Sequence, residues 1–464
     1  MNSLKFILFF YLSLILPVSA AGAATKSLTV TIYNNDRALV NEIRSMELPK
    51  GQDRVEFLGV PQTIEPQSLQ VRSITSPKNF RVLDMNYEYD LVGAKSLLDR
   101  YVGKELSVVL PDPSDAMARM IKKGTLIANN DRPIFKIGNE IYVGGYDAVL
   151  LPSLPQGLRA KPALVWLVDN KGPAAQDVEV SYLARKMGWR ADYVLKVDRN
   201  NTEAGLSGWV TLTNNSGMGF ENADLKLVAG DVHQAPTPAP AYRTKTLMVE
   251  SAMGDDVQEE SFFEYHLYSL NRPVTIANKQ IKQVSLLQAP KVKVKKELVC
   301  EYHAYGSRKG IEKPDVNVLL KLRNDSKSGL GMPLPEGIVR AYQESSDGSV
   351  LLIGEDRIEH TPKGEEVSLT MGKAFDVTVE RSQTKFQKTG KNAYAFAWKI
   401  EVRNGSDKPG TVLLKEYLPG QWKVTKASHQ FRKMNTAGIE FKVQAPPTKG
   451  GKALIITYEA DITD

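Results

Sequence analysis

Short segments in which apolar and polar residues alternate recur along most of the chain. Alternation with a period of two is typical of a β-strand that has one buried and one exposed face. Turn-forming residues such as Asn, Asp, Gly and Pro separate these segments, as they do between antiparallel strands. The pattern predicts an all-β, multi-domain protein built from antiparallel, immunoglobulin-like β-sandwiches. The clearest segments are Leu28–Tyr33, Arg54–Leu58, Leu69–Ile74, Glu105–Leu110, Val178–Leu183, Ala191–Val197, Gly208–Thr213, Lys291–Lys295 and Tyr394–Ile400.

Two segments predict short helices that connect strands. Apolar residues recur at helical spacing within Gly93–Val102. The second segment, Ser114–Lys123, begins with a residue that caps helices, carries Asp115 in its first turn and is followed by Gly124. Because both are short, we expect them to be connectors within a β-domain.

Composition shifts along the chain predict its domain boundaries. We expect an N-terminal β-domain with the two short helices at 24–160 and a C-terminal β-sandwich domain at 386–464. Between them, 161–233 and 262–385 form a central β-sandwich region. The intervening segment 234–261 is rich in Pro and Ala and then acidic, which is typical of an exposed insertion.

The N-terminus resembles an export signal. Residues 1–23 contain a lysine, an apolar run interrupted by Ser and Pro, and a stretch of small residues. This order predicts a signal peptide that is cleaved after Ala23 or, alternatively, after Ala20. No later stretch is long enough to span a membrane, so we expect the product in the periplasm or outside the cell. The single cysteine, Cys300, excludes a disulfide within the chain.

Charge and motif content argue against several classes of function. The 464 residues carry 60 Lys and Arg against 53 Asp and Glu, a formal charge of +7, which argues against a dedicated nucleic-acid-binding protein. No segment matches a phosphate-binding P-loop, an HExxH zinc helix or a Gly-x-Ser-x-Gly nucleophile motif. The sequence therefore assigns no catalytic residue and no cofactor. It favours a non-enzymatic binding or scaffold protein whose partner is envelope polysaccharide or envelope protein.

A repeated pentad supports the main alternative to a non-enzymatic protein, which is a metal-dependent enzyme. Glu264–Tyr268 and Glu301–Tyr305 both begin with Glu-Tyr-His and end with Tyr. Residues two apart on a strand share a face, so two paired strands of this kind could bring carboxylates and imidazoles together around a divalent metal. A secreted metal-dependent hydrolase is the function that this arrangement would support, whereas ordinary strands with partly buried rings would explain it equally. The candidate metal ligands are Glu264, His266, Glu301 and His303.

Aromatic and basic segments suggest two kinds of ligand. Trp189, Tyr193 and Trp209 are candidate ligand-binding residues that could stack on sugar rings, although Trp on a sandwich strand commonly packs in the core. The lysine-rich runs at 291–296 and 385–391 could contact anionic envelope polymers. A further alternative is assembly with another protein by strand addition, with 234–261 as the interacting segment.

Several motifs occur in one order over nearly the whole chain after residue 23. They include Thr31–Asn35, Tyr87–Leu91, Leu98–Lys104, Gly188–Tyr193, Leu227–Val232, Glu264–Tyr268, Met332–Gly337, Gly372–Asp376 and Tyr417–Pro419. In these motifs the chain resembles domain-of-unknown-function family 4139, a bacterial secreted family similar to the β regions of mucoidy inhibitor A. The long charged coiled coil of those relatives is missing here. The resemblance implies an all-β envelope protein with a role in exopolysaccharide or envelope homeostasis, and it carries over no catalytic residue.

Overall fold

The structure is a computed structural model that describes residues 24–112, 114–155, 158–230, 257–262, 265–304, 306–436, 438–448 and 452–463. The predicted signal peptide, 1–23, and most of the predicted insertion lie outside the described residues. The last part of that insertion, 257–261, belongs to a strand.

The described chain is almost entirely β-structure arranged in several sheets, which confirms the predicted all-β fold class. Every alternating segment singled out above lies in a strand or overlaps one. The elements of the first part are β1 (Ala24–Tyr33), β2 (Arg37–Glu47), β3 (Gly51–Leu58), β4 (Ile64–Ser73), β5 (Phe80–Glu88), α1 (Ala94–Asp99), β6 (Glu105–Asp112), β7 (Asp115–Ala128), β8 (Ile134–Ile137), β9 (Glu140–Tyr142), β10 (Ala148–Leu150), β11 (Ala163–Asn170), β12 (Ala175–Arg185), β13 (Met187–Val197), β14 (Glu203–Asn214) and β15 (Phe220–Ala229). They are followed by β16 (Val257–Phe262), β17 (Tyr265–Leu270), β18 (Val274–Ile276), β19 (Gln280–His303), β20 (Ile311–Glu312), β21 (Asn317–Arg323), a 3₁₀ helix (Ser326–Ser328), β22 (Gly337–Glu344), β23 (Val350–Ile358), β24 (Glu366–Lys373), β25 (Val377–Lys388), β26 (Ala393–Asn404), β27 (Gly410–Tyr417), β28 (Gln421–Ala427), β29 (Arg432–Met434), β30 (Gly438–Ala445) and β31 (Leu454–Thr463).

The described chain divides into two compact units. The first contains 24–28 and 40–183, and the second contains 29–39 and 184–463. The predicted boundary between 385 and 386 lies within β25, which pairs with β26 from Val377 to Lys388.

The first unit contains three groups of strands. One has the order β2-β12-β4, and another has the order β3-β11-β5 with antiparallel pairing on both sides of β11. Phe57 of β3 stacks on Trp166 of β11 with ring centroids 5.1 Å apart, and both rings are buried. These contacts form the centre of the apolar core of that group.

A five-stranded sheet of order β10-β6-β7-β8-β9 occupies the chain between β5 and β11. It has its own small core, which includes Tyr101, Val108, Leu126 and Phe135. The short helix α1 precedes it, within the predicted segment Gly93–Val102. Among the described residues, no helix has the length and apolar character needed to cross a bilayer.

The predicted helix at Ser114–Lys123 is wrong, because this segment forms most of strand β7. Its residues pair with β6 from Ser107 to Asp112, and this hairpin supplies the pairing that β6 needs on that side. Ala, Met, Arg and Lys have high helix propensity, but tertiary pairing overrides propensities that differ by less than about 1 kcal/mol per residue. Gly124 ends no helix; it lies in the strand, where an added Cβ would come within 2.9 Å of the Lys136 carbonyl oxygen.

The second unit contains a large mixed sheet. Its central order is β23-β22-β13-β14-β19-β27-β30-β29, with β21 and β24 attached through β19. Strand β19 is 24 residues long, and it pairs with β14 in its first part and with β21 and β27 further on. A separate five-stranded sheet has the order β20-β25-β26-β31-β28. Buried residues of β26 and β31 and of β27 and β30 belong to one apolar core, as in a two-layer sandwich.

Four strands end at or next to an asparagine whose side chain is completely buried. In each case the amide nitrogen donates to backbone carbonyls of the following connection, and the amide oxygen accepts from a backbone N–H. These bonds satisfy backbone groups that leave the sheet at a corner, where strand pairing no longer does so. The four residues are Asn170, Asn214, Asn324 and Asn404.

Removing the side chain of Asn404 should destabilise the second unit. In Asn404→Ala, the carbonyls of Lys408 and Ala445, which accept from the amide at 2.8 and 2.9 Å, lose a donor in a buried site. We expect a loss of about 2 kcal/mol or more in the free energy of unfolding, measured by urea denaturation. Asn392→Ala, at an exposed turn, is the matched control. Equal midpoints for the two variants would contradict this role.

Candidate functional site

The three aromatic candidates have different environments in the second unit. Trp189 is 6% exposed, and its indole nitrogen donates to the carbonyl of Val228 at 3.1 Å. Tyr193 is 1% exposed, and its hydroxyl donates to the carbonyl of Pro335 at 2.8 Å. Trp209 is 36% exposed. Of the three, Trp209 therefore has a ring face that a ligand can reach.

Strand periodicity explains this difference. On β13, Met187, Trp189, Ala191 and Tyr193 share the buried face. On β14, the buried face carries Leu206, Val210 and Leu212, so Trp209 is out of phase with them and points to the other side.

A row of four side chains crosses the outer face of the large sheet. Residues directly opposite each other on neighbouring strands share a face, and neighbouring strands lie about 4.8 Å apart. The register places these residues opposite one another across β14, β13, β22 and β23: Trp209, Asp192, Ile338 and Arg357. We call this surface, together with its neighbours Arg190, Arg340 and Glu355, the Trp209 face.

Asp192 holds the polar part of the Trp209 face together. Its carboxylate accepts from the hydroxyl of Thr211 at 2.6 Å and lies 3.3 Å from Nε of Arg190 and 3.4 Å from Nη1 of Arg340. Arg340 also approaches Glu355 at 3.3 Å. Guanidinium and carboxylate groups thus alternate beside the Trp209 ring, and they offer both hydrogen-bond donors and acceptors to a hydroxylated ligand.

A cavity of about 170 Å³ opens at the β23 end of the Trp209 face. Its polar lining includes Asn34, Arg190, Glu336, Arg357 and His360, and Trp189 also lines it. Arg357 is paired with Glu336 at 2.8 Å. We call this cavity the arginine pocket.

Buried aromatic contacts support the floor of the arginine pocket. Trp189 packs edge-to-face on Tyr268 with centroids 6.3 Å apart, and the Tyr268 hydroxyl donates to the carbonyl of Pro333 at 3.3 Å. Burial raises the pKa of Tyr193 well above its usual value, so its hydroxyl stays a donor to the Pro335 carbonyl at neutral pH. These bonds fix the segment before β22. Several segments that carry the family resemblance therefore meet at this pocket.

Close strand contact also shapes the edge of the pocket. An added Cβ at Gly337 would lie 2.3 Å from the carbonyl oxygen of Ala191. Any side chain at Gly337 would therefore push β22 away from β13 and displace Ile338 and Arg357 from the row.

The two pentads do not form a shared site among the described residues. Strand β17, with His266, pairs with β15 and β16, whereas Glu301 and His303 lie at the end of β19, opposite β27. Glu301 accepts from Lys415 at 2.7 Å, and the His303 ring stacks on Tyr417. Glu264 lies outside the described residues. In the part of the chain that the structure describes, no three potential ligands cluster in a way that could hold a metal ion.

The basic run at 291–296 is partly neutralised. Lys291 pairs with Glu203 at 3.1 Å, and Lys295 pairs with Glu297 on its own strand. The other run, 385–391, lies at the exposed end of the β25–β26 hairpin.

A wider groove of about 1140 Å³ lies in the first unit. Its most buried charged side chain, Arg44, donates to the Glu42 carboxylate at 2.8 Å and to the carbonyl of Leu58 at 2.7 Å. The guanidinium also stacks on Phe57, 3.8 Å from the ring centroid. Arg44 is therefore held in place by partners within the first unit.

Comparison with known families gives the relationship of the chain. A family model described as Domain of unknown function (DUF4139) matches residues 178–423, more than half of the 464 residues. The chain belongs to this family. A second model, N-terminal domain of unknown function (DUF4140), matches residues 30–95. Among curated proteins, none matches the chain.

The matched ranges place the site within the DUF4139 region. That region runs from β12 to β28 and includes every strand of the Trp209 face. The DUF4140 match ends within α1, so the five-stranded sheet lies between the two matched ranges.

Proposed function

We propose that this DUF4139 protein is an exported, non-enzymatic envelope protein that binds glycan on the Trp209 face. The observation that carries the proposal is the partly exposed indole of Trp209 beside paired arginines and a carboxylate. An aromatic ring gives a flat apolar surface for the carbon–hydrogen face of a sugar. The polar groups around it can bond to hydroxyls, which both donate and accept.

The groups of the platform are held in place by the protein's own contacts. Trp209 lies on a central strand with β13 on one side and β19 on the other. Asp192 is only 9% exposed and is held by three partners. Less conformational entropy is lost on binding when the binding groups are already ordered.

The envelope location rests on the signal-like segment at 1–23 and on the resemblance to the β regions of mucoidy inhibitor A. That resemblance supports a role in exopolysaccharide or envelope homeostasis. Since the pentads lie on strands with different partners, we do not extend the proposal to a metal-dependent hydrolase.

Replacing Trp209 by Ala should weaken glycan binding at least about tenfold, because a central aromatic contact commonly carries that much of the affinity. The measurement is co-sedimentation of the protein, purified as its cell produces it, with envelope polysaccharide and peptidoglycan from the same cells. Trp209→Phe retains a ring and should retain most of the binding.

N-terminal sequencing of the purified protein should begin at Ala24 or, for the alternative cleavage, at Ala21.

Phe375→Ala is the matched control, since this aromatic side chain is 96% exposed and lies in the loop between β24 and β25. It should bind as the unmodified protein does. Glycan binding that is equal in Trp209→Ala and in the unmodified protein would refute the proposed site. A lack of binding to either polymer by the unmodified protein would refute the function.

A further inference from the structure

We infer that the arginine pocket binds an oxyanion group, so that the glycan of the Trp209 face is an acidic one. This inference rests on the proposed function for the identity of the ligand, although the pocket can also be tested without a glycan. Neither the family descriptions nor the sequence motifs assign a ligand to this pocket.

An excess of hydrogen-bond donors carries the argument. A guanidinium has five N–H donors and no acceptor. Arg190 has one ion pair, through Nε to Asp192, and Arg357 has one, through Nη2 to Glu336. Among the described residues, no further side-chain partner is recorded for either arginine, and both side chains are about two-thirds exposed, so their remaining N–H groups are open to a ligand. Both residues line the same cavity.

The carboxylates nearby are already engaged. Asp192 is shared between Thr211, Arg190 and Arg340. Glu336 is held by Arg357. A ligand with further acceptors would therefore meet donors that the protein itself leaves unused, and a group that only accepts, such as a carboxylate or phosphate, suits this environment.

The geometry of the arginine side chain suits the recognition of an oxyanion. Its planar fork can bond to two oxygens of one carboxylate or phosphate, and the two arginines line the cavity from different strands, β13 and β23. The cavity volume is several times the roughly 30 Å³ that one water occupies in the liquid. Asn34 adds a neutral amide to the same lining.

The spacing to Trp209 fits one continuous ligand. Trp209 and Arg357 are three strand positions apart in the row, or about 14 Å at about 4.8 Å per strand. A short oligosaccharide spans this distance. One sugar ring would stack on Trp209 while an acidic substituent further along the chain enters the arginine pocket.

The first test compares two matched ligands by isothermal titration calorimetry, a uronic-acid oligosaccharide and the same oligosaccharide with its carboxyl groups reduced to alcohols. The unmodified protein should bind the acidic form about tenfold or more tightly, since charge-assisted hydrogen bonds are the stronger kind. The Arg190→Gln/Arg357→Gln variant should bind both forms equally. Arg199→Gln, an exposed arginine elsewhere in the second unit, should leave the preference unchanged.

The outcomes separate this inference from the proposed function. Equal binding of both forms by the unmodified protein, with loss of both in Trp209→Ala, would overturn the oxyanion site and leave the glycan face standing. A preference that persists in the double arginine variant would also overturn it.

A second test uses inorganic phosphate alone. A ligand that binds the folded state raises the unfolding temperature. Phosphate should therefore raise the unfolding temperature of the unmodified protein relative to chloride at matched ionic strength, and the double arginine variant should lose this difference. No difference in the unmodified protein, combined with no carboxylate preference, would exclude the site.

Discussion

Replacing Glu416 by Ala should lower the free energy of unfolding of the second unit by about 3–5 kcal/mol, the range expected when one partner of a buried ion pair is removed. Glu416 of β27 is paired with Arg381 of β25, and their side chains are 3% and 1% exposed. Without the carboxylate, the guanidinium would remain charged in the apolar core of the sandwich.

The surroundings of Arg381 make this loss difficult to compensate. Its guanidinium carbon lies 3.3 Å from the ring centroid of Tyr302 and 4.1 Å from that of Trp398. The rings attract a cation but offer no lone-pair acceptor. The other oxygen of Glu416 accepts from Tyr458 at 2.7 Å, so the variant also leaves that hydroxyl without its acceptor.

The measurement is urea denaturation followed by tryptophan fluorescence, to which Trp398 contributes. A double variant, Arg381→Met/Glu416→Leu, replaces both charges by apolar side chains of similar size. It should recover most of the stability, because apolar replacement of a whole buried pair is often neutral or stabilising.

An exposed ion pair provides the control. Glu344 and Arg199 are each more than half exposed, so Glu344→Ala should cost at most about 1 kcal/mol. A Glu416→Ala variant no less stable than this control would contradict the role of the buried pair. A double variant with the same free energy of unfolding as Glu416→Ala would also contradict the role of the buried pair.

The sequence predicts the strands well because their signal is local. The alternation in Ala191–Val197 reflects a strand with one buried and one partly exposed face, and β13 contains this segment. The helix predicted at Ser114–Lys123 is wrong because the structure of this segment is not determined locally. Its helix-forming residues become a strand through pairing with β6, which is not visible in its own composition.

The candidate site could be predicted only in part. The phase of Trp209 relative to Leu206 and Val210 is readable from the sequence and distinguishes it from buried Trp189. The position of Arg357 in the same row cannot be read from the sequence. It depends on the parallel pairing of β13 with β22, a strand more than a hundred residues later in the chain.

The buried asparagines show a local signal that was missed. Asn214, Asn324 and Asn404 each follow an alternating segment and precede a stretch rich in Ser, Gly or Lys. This recurrence marks three strand ends of the second unit, and a search for repeats around asparagine would have found it. The physical requirement, which is to satisfy the backbone at a corner, is the same in each case.

Cys300 should be almost unreactive in the folded protein. Its side chain is buried in the core of the sandwich, and burial, followed by the charge of Glu416, raises the pKa of the thiol to about 12. Since the thiolate is the reactive form, its population at pH 8 falls by about three orders of magnitude relative to a free cysteine with a pKa of about 8.5. The greater nucleophilicity of a more basic thiolate offsets only part of this decrease.

The measurement is the rate of alkylation by iodoacetamide at pH 8, followed by mass spectrometry, with and without denaturing urea. Cys300→Ser/Lys293→Cys, which moves the thiol to an exposed position earlier on β19, is the control and should react at the rate of a free thiol. Rapid alkylation of Cys300 without urea would contradict its burial.

The same reaction connects the thiol to the buried ion pair. A buried thiol reacts through an open state, so its rate reports the free energy of that opening when closing is faster than alkylation. Glu416→Ala removes a charge that raises the Cys300 pKa and leaves Arg381, which lowers it, without its partner. Both the lower pKa and the weaker core should then speed alkylation.

The Arg381→Met/Glu416→Leu variant should return the rate close to that of the unmodified protein if the stability of the core controls the opening. A rate that stayed high in this stable double variant would instead assign the protection to the charges around the thiol.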